Sequence, residues 1–181
     1  MVFRSGWLRW SGRTAAASLA LVSAVLAFCA PPSIGQEASP AIATLSITGK
    51  VEHPLVMHDT DLAALPRRRL AVTDEKGKPA LYEGVPVVEL LRRAGAPLGK
   101  QLKGPRLKLY LLVTAADGYQ VVFALSELDP DFTDRVIILA NRRDGHKLGP
   151  HEGPFRFVVP GEKRHARWIR GVSTLTVEEA R

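Results

Sequence analysis

Three observations predict one strand-rich, mixed α+β domain behind a secretory leader. Apolar and alternating runs after Leu107 are separated by Asp-Gly turns, which is the pattern of antiparallel hairpins. Only residues 85–94 place apolar side chains at convincing helical spacing over several turns. Residues 1–35 combine three arginines with an apolar run and hold no acid.

The leader ends the search for cysteine chemistry before it begins. Arg4, Arg9 and Arg13 precede the apolar run of residues 14–30, and a polar, proline-containing break follows. Cleavage fits best after Gly35, because Ser33 and Gly35 are small at the third and first positions before the cut. The run is short of the roughly 20 apolar residues that a membrane span needs. Export to the periplasm or medium is therefore expected, with no membrane span after cleavage. An uncleaved anchor is the alternative. No adjacent arginine pair supports twin-arginine export, and Phe28 is too bulky for a lipoprotein signal at Cys29. Cys29 is the one cysteine, so the exported chain is expected to have no disulfide and no cysteine-ligated metal.

The remaining composition is that of an ordinary globular domain. The whole chain has 181 residues, is 46% hydrophobic and 24% charged, and has a net charge of +7. Three of its 25 cations lie in the leader, leaving 22 against 18 acids. That excess is too mild to predict a nucleic-acid partner.

Residues 36–43 read as a flexible lead, and residues 44–177 as the domain. A first strand is expected to end near Gly49. His53 and His58 lack a third ligand at zinc-like spacing, so they predict no metal site. Thr60 is expected to cap a brief helix that Pro66 stops. Residues 67–82 read as a strand, a Glu-Lys-Gly turn and a return strand. In 85–94, Pro86 suits a first turn, Val87, Leu90 and Leu91 share a face, and Gly95 is the stop. Residues 99–105 form a basic loop. Residues 107–114 and 119–125 are expected to pair antiparallel around Asp117 and Gly118, which makes Asp117 a turn residue. Ser126 is the expected cap of a helical turn. Residues 135–141 read as a buried strand, and the loop after it leaves Arg142 and Arg143 solvated, with the mouth of a pocket as the alternative.

The stretch most suggestive of a task is residues 151–172, HEGPFRFVVPGEKRHARWIRGV. Alternation puts Phe155, Phe157 and Val159 on one face of a strand and Arg156 and Val158 on the other. His151 precedes it across a Gly-Pro turn, and Arg167 follows the Pro160-Gly161 turn on what reads as the next strand. The three are expected to converge on a small anion, for which the arginine fork is well suited. An exposed, merely solvated basic hairpin is the competing reading.

A histidine, then Pro-x-Arg, then a Val-Pro-Gly turn, then a base directly before Trp resembles the molybdopterin-binding domain of the sulfite oxidase family. Residues 82–97 and 117–119 add to that resemblance, which covers about residues 44–177. It implies a sulfite-oxidase-like molybdopterin-binding fold. It also implies that His151, Arg156 and Arg167 hold the pterin cofactor and its phosphate. Arg167 departs from the family's usual lysine, which alters donor geometry. In redox-active members the region matching residues 67–82 is longer and carries the cysteine that binds molybdenum. Here that region has no cysteine, and Thr73 is no substitute for a soft thiolate.

No G-x-G-x-x-G, Walker loop, H-E-x-x-H or G-x-S-x-G occurs, which removes the common nucleotide, zinc-protease and hydrolase readings. No catalytic residue is assigned. The first functional expectation is a non-catalytic module or accessory protein that binds a pterin or other small anion. An active molybdopterin oxidoreductase without a cysteine ligand, and a cofactor-free scaffold for a protein partner, are the alternatives.

Overall fold

The computed structural model describes residues 43–181. The leader, its cleavage point, Cys29 and the lead up to residue 42 lie outside the described residues. The domain is strand-rich α+β, as expected, and is built on two five-stranded sheets.

The first sheet joins β1 (Thr44–Gly49), β2 (Leu55–His58), β5 (Leu109–Ala115), β6 (Gln120–Ala124) and β10 (Val172–Glu179) in the order β2-β1-β10-β5-β6. Only β1 and β10 run parallel; the other neighbours are antiparallel. In β5, Leu109, Leu111, Val113 and Ala115 are buried and alternate with partly exposed residues, as one strand face against a core requires. The β5–β6 hairpin sets Tyr110 opposite Ala124 and Thr114 opposite Gln120. Its turn is closed by Asp117 Oδ1, which accepts from the Tyr119 amide at 3.0 Å.

The second sheet is built from β3 (Arg68–Thr73), β4 (Pro79–Pro86), β7 (Ile138–Arg143) and β8 (His146–Lys147), in that order. A further strand, β9 (Arg156–Val158), pairs with β7. At Gly84 the β4 and β7 backbones approach so closely that an added Cβ would sit 2.1 Å from the Leu139 carbonyl oxygen. Among the described residues β3 is an edge strand of this sheet. Buried side chains of both sheets form one core, in which Phe123 of β6 meets Phe157 of β9 at 5.5 Å between ring centroids.

The two helices are short. α1 (Asp59–Ala63) starts at His58, whose amide donates to Asp61 Oδ2 at 2.8 Å, so Thr60 lies inside the helix instead of capping it. α2 (Val87–Arg93) buries Val87, Leu90 and Leu91, and Gly95 at φ +72° ends it with an amide bond to the Arg92 carbonyl at 3.0 Å. Pro86 belongs to the end of β4, one step before the helix. The turn expected of Ser126 is a 3₁₀ turn (Leu125–Glu127) entered from Ala124.

Two other expectations are corrected. β7 continues through Arg142 and Arg143, because β8 folds back onto them. The strand expected over Arg167 starts only at Val172, and Arg167 ends a 3₁₀ turn (His165–Arg167).

Candidate functional site

β4, β7 and β9 carry Tyr82, Arg143 and Arg156 to one place. The Tyr82 ring is fully buried and meets a guanidinium carbon from each arginine, Arg143 at 5.4 Å and Arg156 at 5.5 Å from its centroid. Arg156 donates to the Tyr82 hydroxyl at 3.2 Å and to the Glu152 carboxylate, and it also lies 5.7 Å from the Trp168 ring. Glu152 accepts from Arg143 as well, at 3.3 Å. Burial pushes the Tyr82 phenol up, so it stays protonated as a neutral partner among these charges.

Beside this cluster lies a groove of about 1660 Å³. The exposed edge of β3 and the turn after it form part of its lining, and the segment after Pro160 forms another part. The turn contributes acids. Asp74 accepts from the amides of Lys76 at 2.9 Å and Lys78 at 2.8 Å and from Arg143 at 2.6 Å. The amide bond from Lys78, then the Arg143 guanidinium and the Lys76 amide, overcome the cost of burial and hold the Asp74 carboxyl at about 2. The segment after Pro160 contributes cations. Arg170 donates to Glu75 at 2.6 Å, whereas Lys163 and Arg164 are exposed and have no ion-pair partner among the described residues. Trp168 stands between them and the core. Its indole donates to the Val159 carbonyl at 2.9 Å, and the His165 ring lies 4.0 Å away.

The structure places His151, Arg156 and Arg167 in three different surroundings. His151 is exposed on the turn before the cis Gly153-Pro154 bond. Arg156 is 1% exposed, because both faces of Phe155 to Val159 are buried and the expected outer face of that strand packs on Tyr82 and Trp168. Arg167 is held by Glu162 at 2.7 Å and Glu127 at 3.1 Å and sits 4.5 Å over the Phe123 ring. None of the three lines the groove. Arg143, expected to be solvated, is instead bonded to Asp74, Asp144 and Glu152. Arg142 is exposed and donates to the Gly145 carbonyl at 3.2 Å. His53 is exposed, and no group of three metal-ligating side chains occurs among the described residues.

A family model described as the oxidoreductase molybdopterin binding domain matches residues 34–181. The chain belongs to this family. The molybdopterin-binding domain has a curated relative in the uncharacterized oxidoreductase YuiH of Bacillus subtilis (strain 168), 27% identical over 136 residues. That match covers 71% of this chain and 63% of YuiH. Among solved structures, it resembles the sulfane dehydrogenase SoxCD from Paracoccus pantotrophus with a TM-score of 0.60 and 26% identity. That likeness covers 76% of this chain and 38% of the other. The chain thus spans under two thirds of each, and the resemblance to the sulfite oxidase family seen in residues 82–97 and 151–172 agrees with both.

The residues of the groove fit one end of a molybdopterin. Lys163 and Arg164, without an ion-pair partner among the described residues, offer cations for a phosphate, and the half-exposed Tyr119 offers aromatic surface for a pterin. Behind Trp168, Arg156 Nε is buried without a hydrogen-bond partner among the described residues, and it lies outside the groove lining. The metal end is not matched in the same way: no cysteine occurs among the described residues. Lys163, Arg164 and Glu75 escaped the sequence reading. The run Lys163-Arg164-His165 was a visible signal, but nothing in it told which of its cations would be left unpaired.

Proposed function

We propose that this domain is an exported, non-catalytic module that binds a phosphorylated pterin in the groove beside Trp168. The observation that carries the reading is the pair Lys163 and Arg164, two cations without an ion-pair partner among the described residues, on a groove whose other charges are largely matched. They would take the phosphate. Arg156 would stiffen the wall behind Trp168, where it is already ordered by Glu152 and Tyr82 and so loses little freedom on binding. Molybdopterin, when bound, supplies the metal and the electron chemistry, while the protein binds and orients it. The described domain has no thiolate with which to tune that metal, which supports a binding or accessory role over an oxidoreductase one.

Two measurements test this. Protein purified from its native exported compartment is assayed for pterin and molybdenum, and the purified chain is titrated with a phosphorylated pterin. Each charge-assisted contact is worth about 1.5–3 kcal/mol, so Lys163→Ala with Arg164→Ala is expected to weaken binding by at least about tenfold. Arg142→Ala, on the exposed end of β7, is expected to change it little. Equal losses in both would remove the groove from consideration. Stoichiometric molybdenum together with turnover of a reducible substrate would favour the oxidoreductase reading.

A further inference from the structure

Glu75 occupies an unusual position for a surface acid. It sits in the turn between β3 and β4, where one carboxylate oxygen accepts from Arg170 Nη2 at 2.6 Å and the other lies 3.9 Å from Arg156 Nη2. Glu75 is the one hydrogen-bonding or ion-pair partner of Arg170 among the described residues. The turn itself does not depend on it. Asp74 takes the amides of Lys76 and Lys78 and the guanidinium of Arg143, and the Gly77 amide donates to the Asp74 carbonyl at 2.9 Å. The Glu75 side chain is thus free to leave without unmaking the hairpin, and it lines the same groove as Arg170, Lys163 and Arg164.

We propose that Glu75 is an internal stand-in for the ligand: its carboxylate holds Arg170 at the groove and must be displaced by the entering anion, which leaves a net gain only to an anion that also reaches a second cation, as a dianion can. This rests on the reading of the groove as a phosphate site. The selectivity follows from charge and geometry. A monocarboxylate brings one charge and two oxygens, no more than it displaces. A phosphate brings about two charges and three acceptor oxygens, so it replaces Glu75 on Arg170 and still reaches a second cation such as Arg164.

The test is calorimetric titration of the purified full chain with inorganic phosphate and, separately, with acetate, at about pH 8 where phosphate is a dianion. Glu75→Gln is expected to bind phosphate up to about fivefold more tightly, the upper end of what an exposed ion pair contributes. It is also expected to tighten acetate by a similar factor, because the same displacement is removed for both anions, while the melting temperature stays close to that of the wild type. Asp117→Asn, which removes a different groove carboxylate that touches no arginine, separates displacement from a general charge effect. If Asp117→Asn tightens phosphate as much as Glu75→Gln, or if Glu75→Gln leaves phosphate affinity unchanged while the wild type binds phosphate, the proposal is overturned and the groove reading stands. If neither the wild type nor Glu75→Gln binds phosphate, both fall together.

Discussion

The guanidinium of Arg156 is hydrogen-bonded to the carboxylate of Glu152, four residues earlier across the Gly153-Pro154 turn. Arg156 is almost wholly buried, so this pair fixes the charge state of the space between Tyr82 and Trp168. Glu152 also receives Arg143, so one carboxylate ties β7 to β9 through their side chains.

Glu152→Ala is therefore expected to destabilise the domain by about 3 kcal/mol, since it leaves a buried guanidinium without its carboxylate. Arg156→Met, which removes the buried charge and keeps comparable volume, is expected to cost less than Glu152→Ala. Urea unfolding midpoints decide the order, and the reverse order would show that Glu152 is dispensable.

Asp74 links the hairpin turn to pH. Its folded pKa, about 2, lies below the ordinary value of 3.8, so its contribution is present above the ordinary value and is lost as pH falls through the folded one. The difference in melting temperature between the wild type and Asp74→Asn is expected to be full at neutral pH and to shrink between about pH 4 and 2. A difference that stayed constant across that window would mean the carboxylate's charge contributes nothing.

Arg167 was expected at the anion site, and its surroundings give it a different role. Its donors go to Glu127 and Glu162 and its plane lies over Phe123. Arg167→Ala is expected to lower stability by about 1 kcal/mol, the size of a partly exposed ion pair with a cation–π contact. Its affinity for a phosphorylated pterin should remain that of the wild type. A tenfold loss of affinity at unchanged stability would return Arg167 to the site.

N-terminal sequencing of exported protein is expected to begin at Gln36. Recovery of the intact chain in the membrane fraction would favour the uncleaved anchor instead. Among the described residues no helix is long and apolar enough to cross a membrane.

Much of the architecture was legible because it follows from local rules. The β5–β6 hairpin was readable from two apolar runs around Asp117-Gly118, and α2 from Val87, Leu90, Leu91 and the Gly95 stop. The family was readable from residues 82–97 and 151–172. Where the reading failed, the cause was a partner far away in sequence. Arg143 looked solvated because Asp74, 69 residues before it, cannot be seen from the loop that holds it. Period and turn chemistry depend on neighbours, so the sequence by itself determined the strands, the main helix, the absence of a thiolate after residue 29 and the basic run before Trp168. Which of those basic residues remain available is a matter of charge pairing across the fold. Tertiary structure placed Glu127 on Arg167 across 40 residues and Glu75 on Arg170 across 95, and among the described residues left Lys163 and Arg164 unpaired on the groove, because an ion pair is set by distance in space and not along the chain.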